Sequence, residues 1–478
     1  MTDQRKTTET TSTQPELRRV MGPKLLLFFI VGDILGTGVY ALTGAVAGEV
    51  GGAVWVPFLI ASIVAMITAF SYLELVTRYP QAAGAALYVH KAFGVHILTF
   101  LVAFAVMCSG ITSASTAANA FAGFVNDAFN FGLQPGGNGI LLVALGFMAL
   151  VAVVNHRGVS ESVKANIVLT TVELSGLLLV ILVCAWAIFG DNADLGRVVL
   201  FETSTDKNVF LAITAGASLA FFAMVGFEDS VNMAEECKDP VRDFPRTMLT
   251  GITVTGVIYV LVAVGAVAVV PVGELTNPAN GSALVQVMAK GAPGMPFADI
   301  FPFIAMFAVA NSALINMMMA SRLLYGLSRQ GVLPRWLGSV HRDRQTPGTA
   351  ILGTTLISFA LITFVVKFFD ADAIALLGGT TALLLLCVFA LVHVALIIIR
   401  RRPYDGKTFR APRIMPYVGA VTCVSLAGPW ARSDSQQQQY LVAGGLLLAG
   451  LILWLITKIM TRATTLKTTS NEAAGTKE

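Results

Sequence analysis

The chain has 478 residues, of which 55% are hydrophobic and only 13% are charged. Ordinary globular chains carry about 25% charged residues, so a soluble fold of this size would lack the charge to cover its surface. The composition therefore excludes a cytosolic enzyme, a nucleic-acid-binding protein and a disordered protein. The net charge of +4 is small, and the positions of the charges are more informative than their sum.

Apolar runs long enough to cross a membrane recur along the chain. A membrane helix needs about 20 mostly apolar residues, and twelve runs meet this requirement: 25–48, 53–76, 97–128, 139–155, 166–189, 209–234, 248–270, 299–325, 348–367, 373–399, 414–430 and 439–459. The first run follows a long polar stretch and lacks a small-residue cleavage site, which indicates a membrane helix rather than a signal peptide. The predicted fold class is an all-α integral membrane protein with twelve transmembrane helices.

The positive charges fit this number of crossings. Twelve crossings place both termini on one side, and that side holds 27 of the 32 Lys and Arg residues. The other side holds Arg197, Lys207, Lys290, Lys367 and Arg432. Because positive charge marks the cytoplasmic side, we expect both termini in the cytoplasm of a cell whose plasma (inner) membrane contains the protein. The basic loops are explained by this topology and by attraction to anionic membrane lipids, and we expect no nucleic-acid partner.

The five cysteines do not follow a metal-binding or disulfide pattern. Four lie in apolar runs and Cys237 lies in a charged segment, and none forms a CxxC or Cys/His spacing. We therefore expect no bound metal, no cofactor and no enzymatic activity of the kind such sites support. No cysteine falls on the predicted outer side, so we expect no partner attached by a disulfide.

Two of the twelve segments are interrupted by glycines and acids. The first reads VGDILGTGVY at 31–40, and the sixth reads FFAMVGFED at 221–229. Taken alone, each is compatible with close helix packing through small residues. Interrupted helices at corresponding positions of two halves, however, indicate the binding site of a transporter. A break frees N–H groups that suit a carboxylate and C=O groups that suit an ammonium, so two crossing breaks can bind an amino acid.

Five motifs follow one another along the chain: GTG at 36–38, the loop from Tyr79-Pro80 to Tyr88, AFFAMVGFE at 220–228, Ser321-Arg322 to Tyr325, and GVLP at 331–334 with Thr346-Pro347. Together they resemble the motifs of the amino acid–polyamine–organocation superfamily of permeases, especially the branch with the cationic amino acid transporters and their bacterial relatives. The similarity runs from about residue 20 to 460. It implies a leucine-transporter-like fold in which helices 1–5 and 6–10 form an inverted repeat.

The resemblance also implies a division of the chain. The expected parts are a disordered cytoplasmic tail (1–20), a first repeat (21–189), a second repeat (209–400), two peripheral helices (414–460) and a cytoplasmic C-terminal tail (461–478), where the composition of 463–478 also predicts disorder.

The resemblance further implies a substrate site at the two breaks. The N–H groups of Thr37, Gly38 and Val39 would hold the substrate carboxylate. Carbonyl groups around Phe222, Ala223 and Val225 would hold the amino group, and Phe227 matches the position of an aromatic gate, unless it is an ordinary packing residue. Gly36 and Gly226 complete the predicted site.

Two acids lie inside apolar runs, Asp33 and Glu173. A charge there costs at least about 2.5–3.5 kcal/mol, which favours a functional role. In proton-coupled bacterial relatives, the position of Glu173 often holds a lysine and that of Asp33 a neutral residue, so the lysine mechanism does not carry over. We predict that Asp33 and Glu173, with Ser312 nearby, form the coupling site, and that at least one carboxyl is protonated near neutral pH. The alternatives are that the acids bind sodium or a cationic substrate side chain, or that Glu173 is neutral and only hydrogen-bonded.

Other polar groups carry weaker signals. Asn311 and Asn316 are candidates for the cavity wall, Glu228 and Asp229 for the inner half of the sixth segment or the cytoplasmic vestibule, and His393 for a position near the membrane interface.

The sequence thus predicts a secondary active transporter of amino acids that works by alternating access, with proton-coupled symport into the cell as the leading hypothesis. The proton, or else sodium, would be the coupling ion. An obligate amino acid/amine exchanger and a sodium-coupled symporter remain as alternatives within transport. A non-transporting amino acid sensor is the alternative from another class.

Overall fold

A computed structural model describes residues 21–81, 84–157, 162–201, 208–277, 280–329, 333–339, 346–369, 372–404 and 406–475. Their α-helices are α1 (Pro23–Leu35), α2 (Thr37–Val50), α3 (Trp55–Arg78), α4 (Gly84–Phe93), α5 (His96–Phe129), α6 (Asn138–Arg157), α7 (Ser162–Phe189), α8 (Val209–Ala220), α9 (Pro240–Val269), α10 (Val272–Leu275), α11 (Ala283–Gly291), α12 (Phe297–Arg329), α13 (Gly348–Phe368), α14 (Ala373–Ile399), α15 (Met415–Ala427) and α16 (Gln438–Gly475). The predicted N-terminal tail lies outside the described residues.

The predicted all-α membrane fold is confirmed. Within the described residues, eleven stretches are long and apolar enough to cross a membrane. The first of them joins α1 and α2, and the sixth joins α8 to the following short helices up to Glu236. The predicted eleventh segment is shorter than expected: α15 has 13 residues, because Gly428 and Pro429 follow its end and begin a 3₁₀ turn.

The helix contacts are similar in the two halves of the bundle. The second crossing packs on the seventh (α3 on α9), the third on the eighth (α5 on α12) and the fourth on the ninth (α6 on α13). The third crossing also packs on the tenth (α5 on α14). The corresponding contact in the other half is that of the eighth crossing with the fifth (α12 with α7). Helices α15 and α16 pack against the outside of α3, α5 and α14.

Two regions differ from what the sequence predicts. Helix α16 continues to Gly475, through most of the stretch 463–478 for which composition predicted disorder. His393, expected near the interface, is fully buried, and its two ring nitrogens lie 2.8 Å from Ser71 Oγ and 3.3 Å from Thr68 Oγ1. A small residue, Gly419 of α15, makes room for the imidazole ring.

The start of the first crossing and the end of the sixth crossing are tied together. The backbone N–H of Met21 donates to the carbonyl of Glu236 (3.0 Å), and the N–H of Lys238 donates to the carbonyl of Met21 (3.0 Å). A second tie on this side joins Arg400 of α14 to Glu74 of α3. These contacts join four of the membrane crossings at one end of the bundle.

Candidate functional site

The first crossing is interrupted at Gly36. Helix α1 ends at Leu35 and α2 begins at Thr37, and no side chain caps the start of α2. The first N–H groups of a helix have no partner within the helix, and they form its positive end. The break therefore presents donors at Thr37, Gly38 and Val39 in the middle of the membrane-spanning segment.

The sixth crossing is interrupted over a longer stretch. Helix α8 ends at Ala220, a 3₁₀ helix covers Phe221–Met224, and Val225 is extended with φ −71° and ψ 145°. Gly226 follows with φ +126°, a conformation that side chains with a Cβ rarely adopt. The chain then continues as a 3₁₀ helix over Asp229–Glu236. Irregular backbone at membrane depth is tolerated where it lines a cavity or is buried in protein.

The two breaks touch each other at two glycines. A Cβ atom on Gly38 would lie 2.3 Å from the Cα atom of Ala223. A Cβ atom on Gly226 would lie 2.7 Å from the carbonyl carbon and oxygen of Asp33. Any larger side chain at either position would push the two interrupted helices apart.

A narrow cavity lies where the two breaks meet. Eight of the predicted site residues line it: Asp33, Gly36, Thr37, Gly38, Phe222, Val225, Gly226 and Ser312. The sequence interpretation did not assign Ile34 and Ser113 to it, and it named Asn316 and Asp229 only as weaker candidates. Within the described part of the chain, Asp33 Oδ2 and Thr37 Oγ1 are buried without a hydrogen-bond partner, so both are available to a ligand.

The remaining predicted residues lie behind the cavity wall. Val39, Ala223, Phe227 and Glu173 do not line the cavity. Ala223 supports Gly38 from the other helix, and Phe227 is fully buried in edge-to-face contact with Tyr72 at 5.9 Å between ring centres.

Glu173 is fully buried on α7 between α1 and α12. Asn311 Nδ2 donates to Glu173 Oε2 over a long 3.5 Å, and Oε1 has no hydrogen-bond partner in the described residues. The hydroxyl of Tyr40 donates to the backbone carbonyl of Glu173 (2.7 Å), which fixes α7 against α2. Glu173 interacts electrostatically with Asp33 but does not share the cavity with it.

The sixth crossing contributes two further acids. Glu228 Oε2 accepts a hydrogen bond from the N–H of Gly226 (2.9 Å) and so stabilises the break. Asp229 lines the cavity, which it shares with Asp33. The sequence contains a signal for this placement: Asp229 is three residues after Gly226, and a 3₁₀ helix has three residues per turn.

Tyr259 is a site residue that the sequence gave no reason to select. Its hydroxyl on α9 donates to the carbonyl of Ile34 (2.5 Å), one of the C=O groups at the end of α1. No local motif marks this tyrosine, since its role arises only from the packing of α9 on α1. In the described ranges, no group of three or more His, Cys, Asp or Glu side chains is placed to hold a metal ion.

A multi-pass membrane protein with two interrupted helices that meet at a buried cavity has the construction of a membrane permease. The chain belongs to the amino acid permease family, which it matches over residues 22–443. The resemblance inferred from the motifs is thereby confirmed, and such proteins are transporters rather than enzymes.

Three relatives show the range of the family. The chain is 30% identical to the chloroplastic cationic amino acid transporter 9 of Arabidopsis thaliana, over 69% of this chain and 60% of that protein. It is 24% identical to the branched-chain amino acid permease BcaP of Bacillus subtilis, over 87% of this chain and 89% of that protein. It is 25% identical to the methylthioribose transporter of Bacillus subtilis, over 88% of this chain and 91% of that protein. The match to the plant transporter thus spans less than two thirds of its length.

Proposed function

We propose that the protein transports amino acids across the plasma (inner) membrane by alternating access, and that a proton gradient drives their uptake. The observation that carries the proposal is the contact of the two helix breaks at one cavity. The names of two relatives, a cationic amino acid transporter and a branched-chain amino acid permease, support the solute class. The methylthioribose transporter is a relative whose name indicates a different solute.

The substrate carboxylate would bind at the start of α2. The N–H groups of Thr37, Gly38 and Val39 lie at the positive end of this helix, and the hydroxyl of Thr37 has no other partner in the described residues. The amino group would bind between Asp33 Oδ2 and the carbonyl groups of the stretch 222–225. Phe222 and Val225 of this stretch line the cavity.

The coupling proton would be carried by Asp33 and Glu173. Glu173 is fully buried with one long hydrogen bond, and an ionised carboxylate in such surroundings lacks the partners that would stabilise it. We infer that Glu173 is neutral in this closed state. Asp33 shares the cavity with Asp229, so a proton on Asp33 would reduce the repulsion between these two acids. Ser312, which lines the same cavity, would hold the ligand close to Asp33.

A thermal-shift screen of the purified protein identifies the solute. The standard amino acids, common polyamines and methylthioribose are tested, because a ligand that binds the folded state raises its apparent stability. The identified solute is then used in proteoliposomes with an empty lumen and an imposed pH gradient. Accumulation supports symport, whereas uptake only into vesicles preloaded with a counter-substrate indicates an exchanger. Accumulation that requires sodium in place of the pH gradient indicates sodium coupling, and binding without flux indicates a sensor.

The variants Asp33→Asn and Glu173→Gln test the coupling site. We expect both to lose accumulation driven by the pH gradient at least tenfold. Exchange between equal internal and external substrate concentrations separates a loss of coupling from a loss of binding, and at least Glu173→Gln should keep it. If both variants accumulate substrate as the wild type does, proton coupling through these acids is refuted.

A further inference from the structure

Arg432 is a buried cation on the predicted outer side, in the connection between α15 and α16. Only 2% of its surface is exposed. Its Nη1 donates to Gln439 Oε1, and its guanidinium lies 5.6 Å from the centre of the Tyr440 ring. The other two nitrogens, Nε and Nη2, are buried and have no hydrogen-bond partner in the part of the chain that the structure describes.

No ion pair among the described residues compensates this charge. The ion pairs among the described residues are Arg197–Asp194, Lys290–Glu274 and Arg400–Glu74. The acid that this connection does contact, Glu49 of α2, accepts its hydrogen bonds from Ser433 and Gln436, each at 3.1 Å. Removing a cation from water without an anionic partner costs several kcal/mol, so a group from outside the chain is the expected partner.

The free nitrogens define the shape of that partner. Nε and Nη2 lie on the same edge of the guanidinium, the edge that binds two oxygens of one carboxylate or phosphate in parallel. The same protein uses this edge on Arg400, where Nε donates to Glu74 Oε1 at 2.9 Å and Nη2 donates to Glu74 Oε2 at 2.5 Å. On Arg432 the corresponding edge is without a partner. It fits an oxyanion with two neighbouring oxygens.

The surroundings indicate a phosphate group. The connection 428–437 joins two apolar helices at the membrane border, and Trp430 within it is 60% exposed, as aromatic residues at headgroup level are. Cys387, an exposed residue of α14, lies near Arg432. The site therefore lies beside α14, next to a part of the protein surface that is exposed at Trp430 and Cys387. We propose that Arg432 binds a phosphate group through its Nε and Nη2, supplied by a membrane phospholipid or by free phosphate.

The site is one helix away from the substrate cavity. Gln439, the partner of Arg432, packs against Gly379 of α14, where an added Cβ would lie 2.0 Å from its Nε2. The adjacent Gly378 packs against Phe222, which lines the cavity. A bound phosphate group would hold the outer part of α14 in the position that it has here. This role is independent of the solute that the protein transports.

Thermal unfolding of the full chain in detergent tests the proposal. The additions are dioleoyl-phosphatidylglycerol, dioleoylglycerol without a phosphate, and inorganic phosphate against chloride at equal ionic strength. We expect phosphatidylglycerol to raise the unfolding temperature of the wild type by several degrees and dioleoylglycerol to have no such effect. A shift with inorganic phosphate identifies free phosphate as a sufficient source, and a shift with phosphatidylglycerol alone identifies the lipid. Absence of both shifts overturns the proposal.

Variants locate the effect. Arg432→Gln removes the charge, and Arg432→Lys keeps it but lacks the two-nitrogen edge, so both should lose the shift. Arg197→Gln removes an outer arginine that already has a partner, and it should keep the shift. Equal shifts in wild type and Arg432→Gln refute the assignment.

If the Arg432 variants fail to fold, the wild type still gives a local measurement. Cys387 is exposed, whereas the other four cysteines are buried. We expect phosphatidylglycerol to slow its labelling by N-ethylmaleimide at least twofold relative to dioleoylglycerol. Equal labelling rates contradict a phosphate group at this site.

Discussion

Gly226 lies directly against the backbone of Asp33, and this contact joins the two interrupted crossings. A Cβ atom at position 226 would stand 2.7 Å from the carbonyl oxygen of Asp33 and 3.0 Å from the N atom of Ile34. The left-handed φ of +126° at Gly226 lets the chain turn at this point, and Glu228 accepts the hydrogen bond from its N–H. The cavity between the two breaks depends on this close approach.

We therefore expect Gly226→Ala to reduce the transport rate by more than any loss of folded protein accounts for. The added methyl group meets backbone atoms that cannot move independently, and the conformation itself costs about 1–3 kcal/mol for a residue with a Cβ. We expect initial uptake rates in proteoliposomes to fall at least tenfold. The control is Gly146→Ala on α6, where no atom lies within 4 Å of the added Cβ, and which should gain up to about 1 kcal/mol of helix propensity. Wild-type uptake by Gly226→Ala would show that the breaks need not touch.

Two buried tyrosine hydroxyls offer a matched pair of substitutions. Tyr259 donates to the carbonyl of Ile34, and loss of this bond in Tyr259→Phe should cost about 0.5–1.5 kcal/mol and reduce uptake. The hydroxyl of Tyr88 is buried without a hydrogen-bond partner among the described residues, so Tyr88→Phe should be neutral or stabilising. Unfolding temperatures and uptake rates of both variants provide the measurement. Equal destabilisation of the two would contradict the assigned role of Tyr259.

The ion pair between Glu74 and Arg400 should contribute to stability far more than an exposed pair. The Glu74 side chain is 8% exposed, and it also accepts from the N–H of Ala411 (2.9 Å). Glu74→Ala leaves the guanidinium without its carboxylate, which should cost about 3–5 kcal/mol. Glu274→Ala breaks an exposed pair with Lys290 and should cost at most about 1 kcal/mol. Unfolding in detergent distinguishes the two, and similar losses would argue against a structural tie between α3 and α14.

The sequence predicts the fold class and the place of the site because both depend on local signals. Apolar runs of membrane length and the asymmetry of Lys and Arg report on the crossings. Glycines beside acids at 32–38 and 226–229 indicate the breaks, because both residue types lower the stability of an uninterrupted membrane helix.

The remaining features depend on packing that no local pattern encodes. Glu173 and Asp33 are both intramembrane acids in the sequence, yet only Asp33 lines the cavity. Glu173 does not line it, because it lies on α7, and α1 separates α7 from the point where the two breaks meet. Asp229 reaches the cavity through the turn after Gly226, which a regular helix would not produce. In the sequence, Arg432 is only one of the positive charges on the predicted outer side. Its burial depends on how α14 and α16 enclose the connection.

The most direct test of the central claim is competition for binding by derivatives of the identified amino acid. The two breaks should recognise the carboxylate and the ammonium together, so the N-acetyl derivative and the amide should each compete at least a hundredfold more weakly than the parent compound. Binding is measured by displacement of the radiolabelled amino acid from purified protein. Equal competition by both derivatives would contradict recognition of the amino acid by the exposed peptide groups of the first and sixth crossings.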